Sequence, residues 1–153
     1  MFVFDIDGTL WWFWMDTHPD PPVIPYKGGF KDSTGEVFDF YPDVREILLA
    51  LHEAEIPIAL ASSTWAPELG RKLIRIIKMD EKRTLGDIVD YQELITSQKF
   101  EHFRRIRDAS GYSYEQMIFI DDEKHNIDDI ETLGVICYYE RKGISKEVFE
   151  KII

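Results

Sequence analysis

Two aspartates, Asp5 and Asp7, follow the apolar run MFVF near the beginning of the sequence. Side chains alternate along an extended strand, so both carboxylates project to the same side while Ile6 points the other way. Two carboxyl groups this close together raise each other's pKa unless a cation lies between them. The spacing therefore indicates either a bound divalent ion or two carboxylates with different chemical tasks. A simple strand-to-turn junction, with Asp7 and Gly8 in a tight turn, is the alternative.

A second acidic pair, Asp121 and Asp122, follows the apolar run MIFI. In open parallel sheets, ligands bind beyond the carboxyl ends of the strands, near the point where the strand order reverses. We therefore expect the two pairs to converge on one pocket. Carboxylate oxygens in this number suit Mg²⁺, which takes a few carboxylates, a carbonyl oxygen and several waters, usually alongside a phosphate. The sequence predicts a magnesium site built from both pairs.

Hydroxyl groups and a lysine could bind a phosphate beside these carboxylates. The apolar run IPIALA is followed by Ser62, Ser63 and Thr64, whose hydroxyls can hydrogen-bond a phosphate oxygen. Alternatively, one of these hydroxyls caps the helix predicted to start near Pro67 and binds no phosphate. Lys99 lies at the predicted start of another helix, where the helix dipole favours negative charge rather than a cation. Ser62, Ser63 and Lys99 are candidate phosphate-binding residues, with an ordinary surface lysine as the alternative for Lys99.

The elements that must position these residues alternate between strand and helix. Apolar runs without clean alternation, typical of strands buried on both faces, lie at 2–6, 56–61, 117–120 and 135–139. Segments of helical period lie at 44–54, 67–78, 98–109 and 127–133, with a weak strand at 88–94 and a last helix from 145 to 153. This order predicts an α/β fold, a doubly wound, Rossmann-like three-layer α/β/α structure around a central parallel sheet.

The segment from about residue 11 to residue 41 interrupts this alternation. It is rich in aromatic residues and proline, and the turn signal DSTG separates GGFK from EVFDF. We therefore predict a small hairpin flap inserted after the first strand of a single domain that spans residues 1–153. Four consecutive aromatic residues, Trp11 to Trp14, cannot all face one way. We expect most of them in the core, with stacking of one tryptophan on a substrate as the alternative.

The net charge excludes some classes of binding partner, and the cysteine count indicates the cellular compartment. Lys and Arg number 18 and Asp and Glu number 29, which gives a formal net charge of −11. Nucleic-acid binding needs a basic surface that displaces counterions from phosphates, so we expect no nucleic acid partner, and acidic membrane surfaces are disfavoured likewise. Cys137 is the single cysteine, and the first apolar run lacks a preceding basic segment and is interrupted by Asp5. We therefore expect no disulfide, signal peptide or membrane span, and a cytoplasmic protein.

The order of these motifs resembles a known superfamily. Four features, taken in this order, resemble the four motifs of the haloacid dehalogenase superfamily of phosphohydrolases. They are DIDGT, a strand that ends in Ser62, Lys99 at a helix start and a strand that ends in DD. Five longer segments resemble one family within this superfamily, the magnesium-dependent phosphatases. These segments are DIDGTLWWFWMDTHPDPP, YPDV, IPIALASSTW, SQKFEHF and MIFIDDEKHNI. This family typically has an aromatic residue after the second motif aspartate and an arginine after the motif serine, whereas this chain has Gly8 and Ser63.

The resemblance implies a Mg²⁺-dependent phosphomonoesterase that works through an aspartyl-phosphate, with a small flap in place of a separate cap domain. It also implies a role for each candidate: nucleophile for Asp5, general acid–base for Asp7, phosphate binding for Ser62 and Lys99, and metal binding for Asp5, the Asp7 backbone carbonyl, Asp122 and its neighbour Asp121. The substrate is a phosphorylated small molecule or protein, and phosphotyrosine, phosphorylated sugars and sugar-amine adducts all stay open. The oligomeric state is equally open.

A receiver-like signalling module, which is phosphorylated on an aspartate without turnover, is the alternative function. Such modules also combine clustered aspartates, a hydroxyl, a lysine and Mg²⁺. Receivers carry the acidic pair on the first strand and the phosphorylated aspartate on a middle strand, whereas here DIDGT comes first and the DD pair comes late. The motif order therefore favours a phosphatase.

Overall fold

The computed structural model describes the whole chain, residues 1–153. The strands are β1 (Phe2–Phe4), β2 (Ile24–Tyr26), β3 (Gly29–Lys31), β4 (Val37–Phe38), β5 (Ile58–Ser62), β6 (Tyr91–Leu94), β7 (Ile118–Asp121) and β8 (Ile136–Tyr139). The helices are α1 (Val44–Glu53), α2 (Pro67–Ile76), α3 (Leu85–Ile88), α4 (Lys99–Ser110), α5 (Lys124–Glu131) and α6 (Lys146–Ile152).

Five parallel strands form the central sheet, in the order β6-β5-β1-β7-β8. The first strand is therefore the middle one, and Phe4 lies in register with Leu60 of β5 on one side and Ile120 of β7 on the other. The chain builds the sheet outwards from β1 to one edge and then crosses to the other. This reversal of strand order beside β1 confirms the predicted doubly wound topology.

Helices cover both faces of the sheet. Neighbouring residues of β1 enter different layers: Phe2 and Phe4 belong to a core of 27 buried residues that also contains side chains of α1, α2, α3 and α6. Val3 belongs to a second core of 11 residues, together with side chains of α4 and α5. This arrangement confirms the three-layer α/β/α prediction. No helix combines the length and the apolar character that crossing a bilayer requires.

Several predicted boundaries differ from the structure. The weak strand predicted at 88–94 begins only at Tyr91, because Ile88 ends the short helix α3, which the sequence did not predict. Two further differences have a local cause. The first strand ends at Phe4, because the carbonyl oxygen of Ile6 accepts turn hydrogen bonds from the backbone N–H groups of Thr9 and Leu10 at 3.0 and 2.9 Å. Helix α5 begins at Lys124, three residues before the predicted start at 127. Its first turn is polar, so the apolar period that marks the helix in the sequence begins one turn late.

The predicted flap is a small antiparallel sheet. DSTG forms the turn between β3 and β4, and the carboxylate of Asp32 accepts from the backbone N–H groups of Thr34 and Glu36 at 3.0 and 3.1 Å. A further strand, β2, pairs with β3 and extends the hairpin to three strands. The aromatic run alternates instead of lying mostly in the core as expected. Trp11 and Phe13 are buried and stack with ring centroids 4.7 Å apart, whereas Trp12 and Trp14 are exposed.

Candidate active site

Three strand ends and one helix start bring the candidate residues together. Asp5 directly follows β1, while Ser62 and Asp121 are the last residues of β5 and β7. Because these strands are parallel neighbours, their carboxyl ends meet at one edge of the sheet. Lys99 is the first residue of α4 and reaches the same place from the loop after β6.

Lys99 is a buried cation between carboxylates. Its ammonium group donates to Asp5 Oδ1 at 2.8 Å and to the carbonyl oxygen of Ala61, and it lies 3.8 Å from Asp121 Oδ2. Burial alone would lower the pKa of Lys99, but the charges of Asp5 and Asp121 raise it above its usual value. The ammonium group therefore stays charged. The surface-lysine alternative is wrong, because the residue is only 3% exposed.

Three carboxylates converge beside this lysine. Asp5, Asp121 and Asp122 each contribute one carboxylate oxygen to a group of three that lie within 4.8 Å of one another. Burial, followed by the proximity of Asp5, raises the pKa of both Asp121 and Asp122 above the usual range. Crowded acidic groups are unfavourable without a cation, and hard oxygen donors are what Mg²⁺ prefers. The residues present therefore fit a divalent magnesium site.

The two aspartates of the DD pair differ in how many protein donors hold them. Asp121 accepts from the backbone N–H of Glu123 and from Asn126 Nδ2, both at 2.9 Å. Asp122 has a weaker donor, the Thr9 hydroxyl at 3.4 Å, and its other close neighbours are the carboxyl groups of Asp5 and Asp121. The oxygens of Asp122 are thus more available to a metal ion than those of Asp121.

Asp7 is held by partners that are not part of the carboxylate cluster. Trp11 Nε1 donates to Asp7 Oδ1 at 2.8 Å, and the backbone N–H of Met15 donates to Asp7 Oδ2 at 3.2 Å. Burial raises the pKa of Asp7 to about 7, although the Trp11 hydrogen bond lowers it and the charge of Asp5 adds a smaller upward shift. Two similar carboxylates thus have different environments, one facing a cation and the other an indole.

Gly8 allows a close approach between two parts of the site. Its φ of +79° is in the left-handed region that favours glycine. A Cβ atom at this position would lie 2.2 Å from Asp122 Oδ2, far inside van der Waals contact. The absence of a side chain at Gly8 therefore lets the Asp122 carboxylate lie against the turn that carries Asp5 and Asp7.

The two serines after β5 have different hydrogen bonds. Ser62 is buried, and its Oγ accepts from the backbone N–H of Thr64 at 3.3 Å while donating to no protein acceptor. Its hydroxyl hydrogen is available to a phosphate oxygen. Ser63 Oγ instead donates to the carbonyl oxygen of Ser97 at 2.8 Å and so joins the loop after β5 to the loop before α4.

A cavity of about 620 Å³ opens at this edge of the sheet. Five predicted site residues line it, namely Asp5, Asp7, Ser62, Ser63 and Lys99. Asp121 and Asp122 lie next to Asp5 without lining the cavity. The structure thus brings together all seven residues that the sequence singled out. The same cavity is also lined by Thr96, Ser97 and Gln98 of the loop before α4, to which sequence analysis gave no role.

Two further residues support the site without having been predicted to do so. Thr9 Oγ1 lies 3.2 Å from Asp5 Oδ2 and 3.4 Å from Asp122 Oδ1, so its one hydroxyl hydrogen can be donated to either carboxylate. The indole of Trp11 orients Asp7. Both residues are close in sequence to DIDGT, but only the turn after β1 shows that their side chains fold back onto the aspartates.

His102 is a third residue that the sequence did not mark. It is fully buried, its Nε2 lies 2.9 Å from the carbonyl oxygen of Ile95, and its Nδ1 has no hydrogen-bond partner. Burial, followed by the charge of Lys99, lowers the pKa of His102 to about 4. The imidazole is therefore neutral, and it anchors the start of the loop that leads to Lys99. The only available signal was its position one helical turn after Lys99.

Comparison with known proteins agrees with this geometry. The whole chain, residues 1–153, matches the family model described as Acid Phosphatase. Magnesium-dependent phosphatase 1 of Homo sapiens is 35% identical over 150 residues, which is 97% of this chain and 82% of that protein. A HAD-like hydrolase superfamily protein of Schizosaccharomyces pombe is 34% identical over 139 residues, which is 87% of this chain and 80% of that protein.

A solved structure shows the same fold. The N-terminal part of a Bacteroides fragilis protein, which contains a phosphatase domain complexed with Mg, superimposes with a TM-score of 0.66 at 15% identity. The match covers 92% of this chain and 36% of the Bacteroides fragilis chain, so this chain spans about a third of the length of that protein. At this identity the likeness concerns the fold, and the full-length family match and the two relatives decide the assignment. The chain therefore belongs to the acid phosphatase family, and it is a phosphatase of the haloacid dehalogenase-like hydrolase superfamily.

Proposed function

We propose that this phosphatase hydrolyses phosphate monoesters through an aspartyl-phosphate formed on Asp5. The observation that carries the proposal is the buried contact of 2.8 Å between Asp5 Oδ1 and Lys99 Nζ in the wall of the cavity. The ammonium group holds one oxygen of the carboxylate and so orients the group that acts as the nucleophile. A carboxylate nucleophile divides one difficult hydrolysis into two easier steps.

Mg²⁺ is the cofactor, and the oxygen donors of the site support it. Asp5 and Asp122 would hold the ion with their side chains, together with the backbone carbonyl of Asp7. Asp121, which protein donors already hold, would position Asp122 and Lys99. When bound, the ion neutralises negative charge on the phosphoryl group as it is transferred.

The first step transfers the phosphoryl group to the protein. Lys99 and the free hydroxyl hydrogen of Ser62 bind the phosphate oxygens and hold phosphorus in front of Asp5. An oxygen of Asp5 forms a bond to phosphorus while the bond between phosphorus and the leaving oxygen breaks. Asp7 gives its proton to that oxygen, which departs as an alcohol. The pKa of Asp7, raised by burial to about 7, leaves a protonated fraction for this task near neutral pH.

The second step releases the phosphate. Asp7, now ionised, takes a proton from a water molecule whose oxygen attacks the phosphorus attached to Asp5. The bond between phosphorus and Asp5 breaks, inorganic phosphate leaves and both aspartates return to their initial protonation states. One residue thus serves as acid and then as base, and this requires it to be a carboxyl group distinct from the nucleophile.

The receiver-like alternative differs from this proposal by the absence of turnover. The family assignment supports the phosphatase. The order along the chain supports it too, because the proposed nucleophile follows the first strand, β1, and the DD pair comes at the end of β7. Repeated release of phosphate from one enzyme molecule distinguishes the two functions directly.

The experiment that tests the mechanism compares Asp5→Asn with Asp7→Asn. Each variant is incubated with Mg²⁺ and p-nitrophenyl phosphate, whose leaving group needs little protonation, and is then measured by intact mass. Asp7→Asn should carry one covalent phosphate and lose roughly the 10²–10⁴-fold in turnover that general acid–base catalysis contributes. Asp5→Asn should stay unlabelled and inactive. Thermal melting of both variants checks that each is folded. Labelling of Asp5→Asn would assign the nucleophile to another residue and overturn the proposal.

A further inference from the structure

Two exposed tryptophans line the otherwise polar cavity. Of its sixteen lining residues only two are hydrophobic, and these are Trp14 and Trp65. Trp14 is 50% exposed and Trp65 is 80% exposed, and Trp65 is the most exposed of the large aromatic side chains in the chain. No packing requirement of the fold explains an indole as exposed as that of Trp65.

The structure holds the two tryptophans on neighbouring segments. Trp14 belongs to the segment after β1, and Trp65 belongs to the loop after β5. Asp16 joins them, because its Oδ2 accepts from the backbone N–H of Trp65 at 3.2 Å. The segments that carry the two tryptophans therefore meet at the cavity, which both residues line, and the backbone of the more exposed one is restrained.

The remainder of the cavity wall is acidic. Asp16, Glu123 and Asp129 line it in addition to the proposed catalytic aspartates, whereas Lys99 is its only lysine or arginine. That cation is buried against Asp5 and is proposed to bind the phosphate. The part of the cavity that receives the rest of the substrate thus offers negative charge and no permanent positive charge.

On the basis of the proposed phosphomonoesterase activity, we infer that Trp14 and Trp65 select substrates whose leaving group presents a flat apolar face and carries no negative charge. A planar ring, or the apolar face of a sugar, stacks on an indole at offset geometry. Negative charge on the same group would be repelled by Asp16, Glu123 and Asp129, whereas a neutral or cationic group would be accepted. The preferred class is therefore an aryl or sugar phosphate that is neutral or cationic beyond the phosphate.

The tryptophan part is tested by comparing two esters in each enzyme variant. Phenyl phosphate has a flat leaving group and glycerol phosphate has none, and the ratio of their kcat/KM values is measured for wild type, Trp65→Ala and Trp14→Ala. The ratio should fall about 2- to 12-fold in each variant, mainly through KM for phenyl phosphate, which is what one aromatic contact contributes. Trp12→Ala is the matched control, because Trp12 is 47% exposed but lies outside the cavity. Its ratio should stay at the wild-type value.

The charge part is tested with three phosphates that share one phenol ring. Phosphorylated tyramine is cationic at its far end, phosphorylated tyrosol is neutral and phosphorylated 3-(4-hydroxyphenyl)propionate is anionic. Wild type should prefer the first two over the third. Asp129→Asn should reduce the disadvantage of the anionic ester by about 2- to 5-fold at low salt and by less at high salt. Asp128→Asn is its matched control, because Asp128 pairs with Lys124 outside the cavity.

The outcomes separate this inference from the mechanism on which it rests. If wild type releases phosphate from none of the esters, the proposed phosphomonoesterase activity fails. If wild type is active but the phenyl-to-glycerol ratio is unchanged in both tryptophan variants, or changes equally in Trp12→Ala, the aromatic contact is refuted. Equal turnover of the three phenol derivatives would refute the charge selection alone.

Discussion

Lys99 Nζ lies 2.8 Å from Asp5 Oδ1, although 94 residues separate them in sequence. The strand end that carries Asp5 and the helix start that carries Lys99 are both fixed by the core, so the contact exists before any substrate binds. Ala61 and Asp121 hold the same ammonium group from two further sides. The positive charge is therefore preorganised where a phosphoryl group would be transferred, and it costs no reorganisation during the reaction.

Substitution of Lys99 should remove this charge contact and strongly reduce both turnover and stability. Lys99→Met keeps most of the buried alkyl chain but should lower kcat by about 10²–10³-fold, the range found when one preorganised donor is lost. Because Asp5 and Asp121 lose a buried partner, the free energy of unfolding should also fall by about 3 kcal/mol. Steady-state kinetics below the melting temperature and urea denaturation measure the two effects separately.

Lys124→Met is the matched control for this substitution. Lys124 is also the first residue of a helix near the site, but it is exposed and pairs with Asp128. Turnover should stay within about two-fold of wild type, since an exposed ion pair contributes little. Equal loss in both variants would show that the effect of Lys99 is not specific to its contact with Asp5.

Removal of divalent ions should abolish activity, and Mg²⁺ should restore it. Ca²⁺ should restore little, because it takes more ligands at distances longer by roughly 0.4 Å and would displace Asp5 from attack. Mg²⁺ should also raise the melting temperature, since it relieves repulsion among Asp5, Asp121 and Asp122. Phosphate release in buffers of chelator and defined free metal measures the first effect, and a thermal melt measures the second. Full activity in excess chelator would contradict the metal site.

Gly8→Ala should weaken metal binding as well as the fold. The new Cβ would lie 2.2 Å from Asp122 Oδ2, so Asp122 must move. Gly35→Ala is a control with the same kind of backbone: its φ is +86° and nothing lies within 4 Å of the added Cβ. Both variants should lose about 1–2 kcal/mol of stability from the left-handed conformation. Only Gly8→Ala should need more Mg²⁺ for half-maximal activity, and an equal requirement in both would show that Asp122 does not bind the ion.

The residues that carry chemistry were predictable because each follows an element with a clear pattern. Asp5, Ser62 and Asp121 come directly after apolar runs that read as buried strands, and parallel strands must bring their carboxyl ends to one edge. Lys99 was placed at a helix start by the apolar period that follows it. For the three strand-end residues, secondary structure and topology together were enough to predict a common site, whereas Lys99 was assigned to it by the resemblance of the motif order.

The supporting contacts were not predictable, because they depend on side-chain packing across long sequence distances. The hydroxyl of Thr9 meets Asp122 across 113 residues, and the Asp16 carboxylate meets the backbone of Trp65 across 49 residues. Neither contact leaves a periodic trace in the sequence. The third strand of the flap, Ile24–Tyr26, was missed for a related reason, since its central residue is Pro25 and it has no alternating pattern.

Buried His102 should make stability depend on pH. Its pKa is about 4 in the folded chain and about 6.5 when unfolded, so the unfolded chain binds more protons between these values. The free energy of unfolding should therefore fall as pH falls through this window, by up to about 3 kcal/mol from this residue. His102→Gln should lack that slope. Urea denaturation at several pH values gives the difference between the two curves, which isolates His102 from the carboxylates; identical slopes would contradict a neutral buried imidazole.

Trp11→Phe should separate the two roles of this buried residue, which are packing in the core and donating a hydrogen bond to Asp7. Phenylalanine can keep the stacking on Phe13, whose ring centroid lies 4.7 Å from that of Trp11, but it cannot donate to Asp7 Oδ1 as Nε1 does at 2.8 Å. Asp7 would keep one donor, the backbone N–H of Met15. The carboxyl group should then be less well oriented, and proton transfer should slow by about 10-fold, the equivalent of one hydrogen bond of about 1.4 kcal/mol.

The loss in Trp11→Phe should differ between substrates, because the two proposed steps use Asp7 differently. With an alkyl phosphate, the leaving oxygen needs the proton of Asp7, so the first step slows and no phosphoenzyme accumulates. With p-nitrophenyl phosphate, the first step needs little protonation while hydrolysis still needs a base, so covalent phosphate on Asp5 should become visible by intact mass. Trp12 packs on Phe13 and Phe38 and is not one of the two donors to Asp7, so Trp12→Phe should behave as wild type with both esters. The same loss with both esters and no phosphoenzyme would mean that the Trp11 hydrogen bond supports the fold rather than the proton transfers of Asp7.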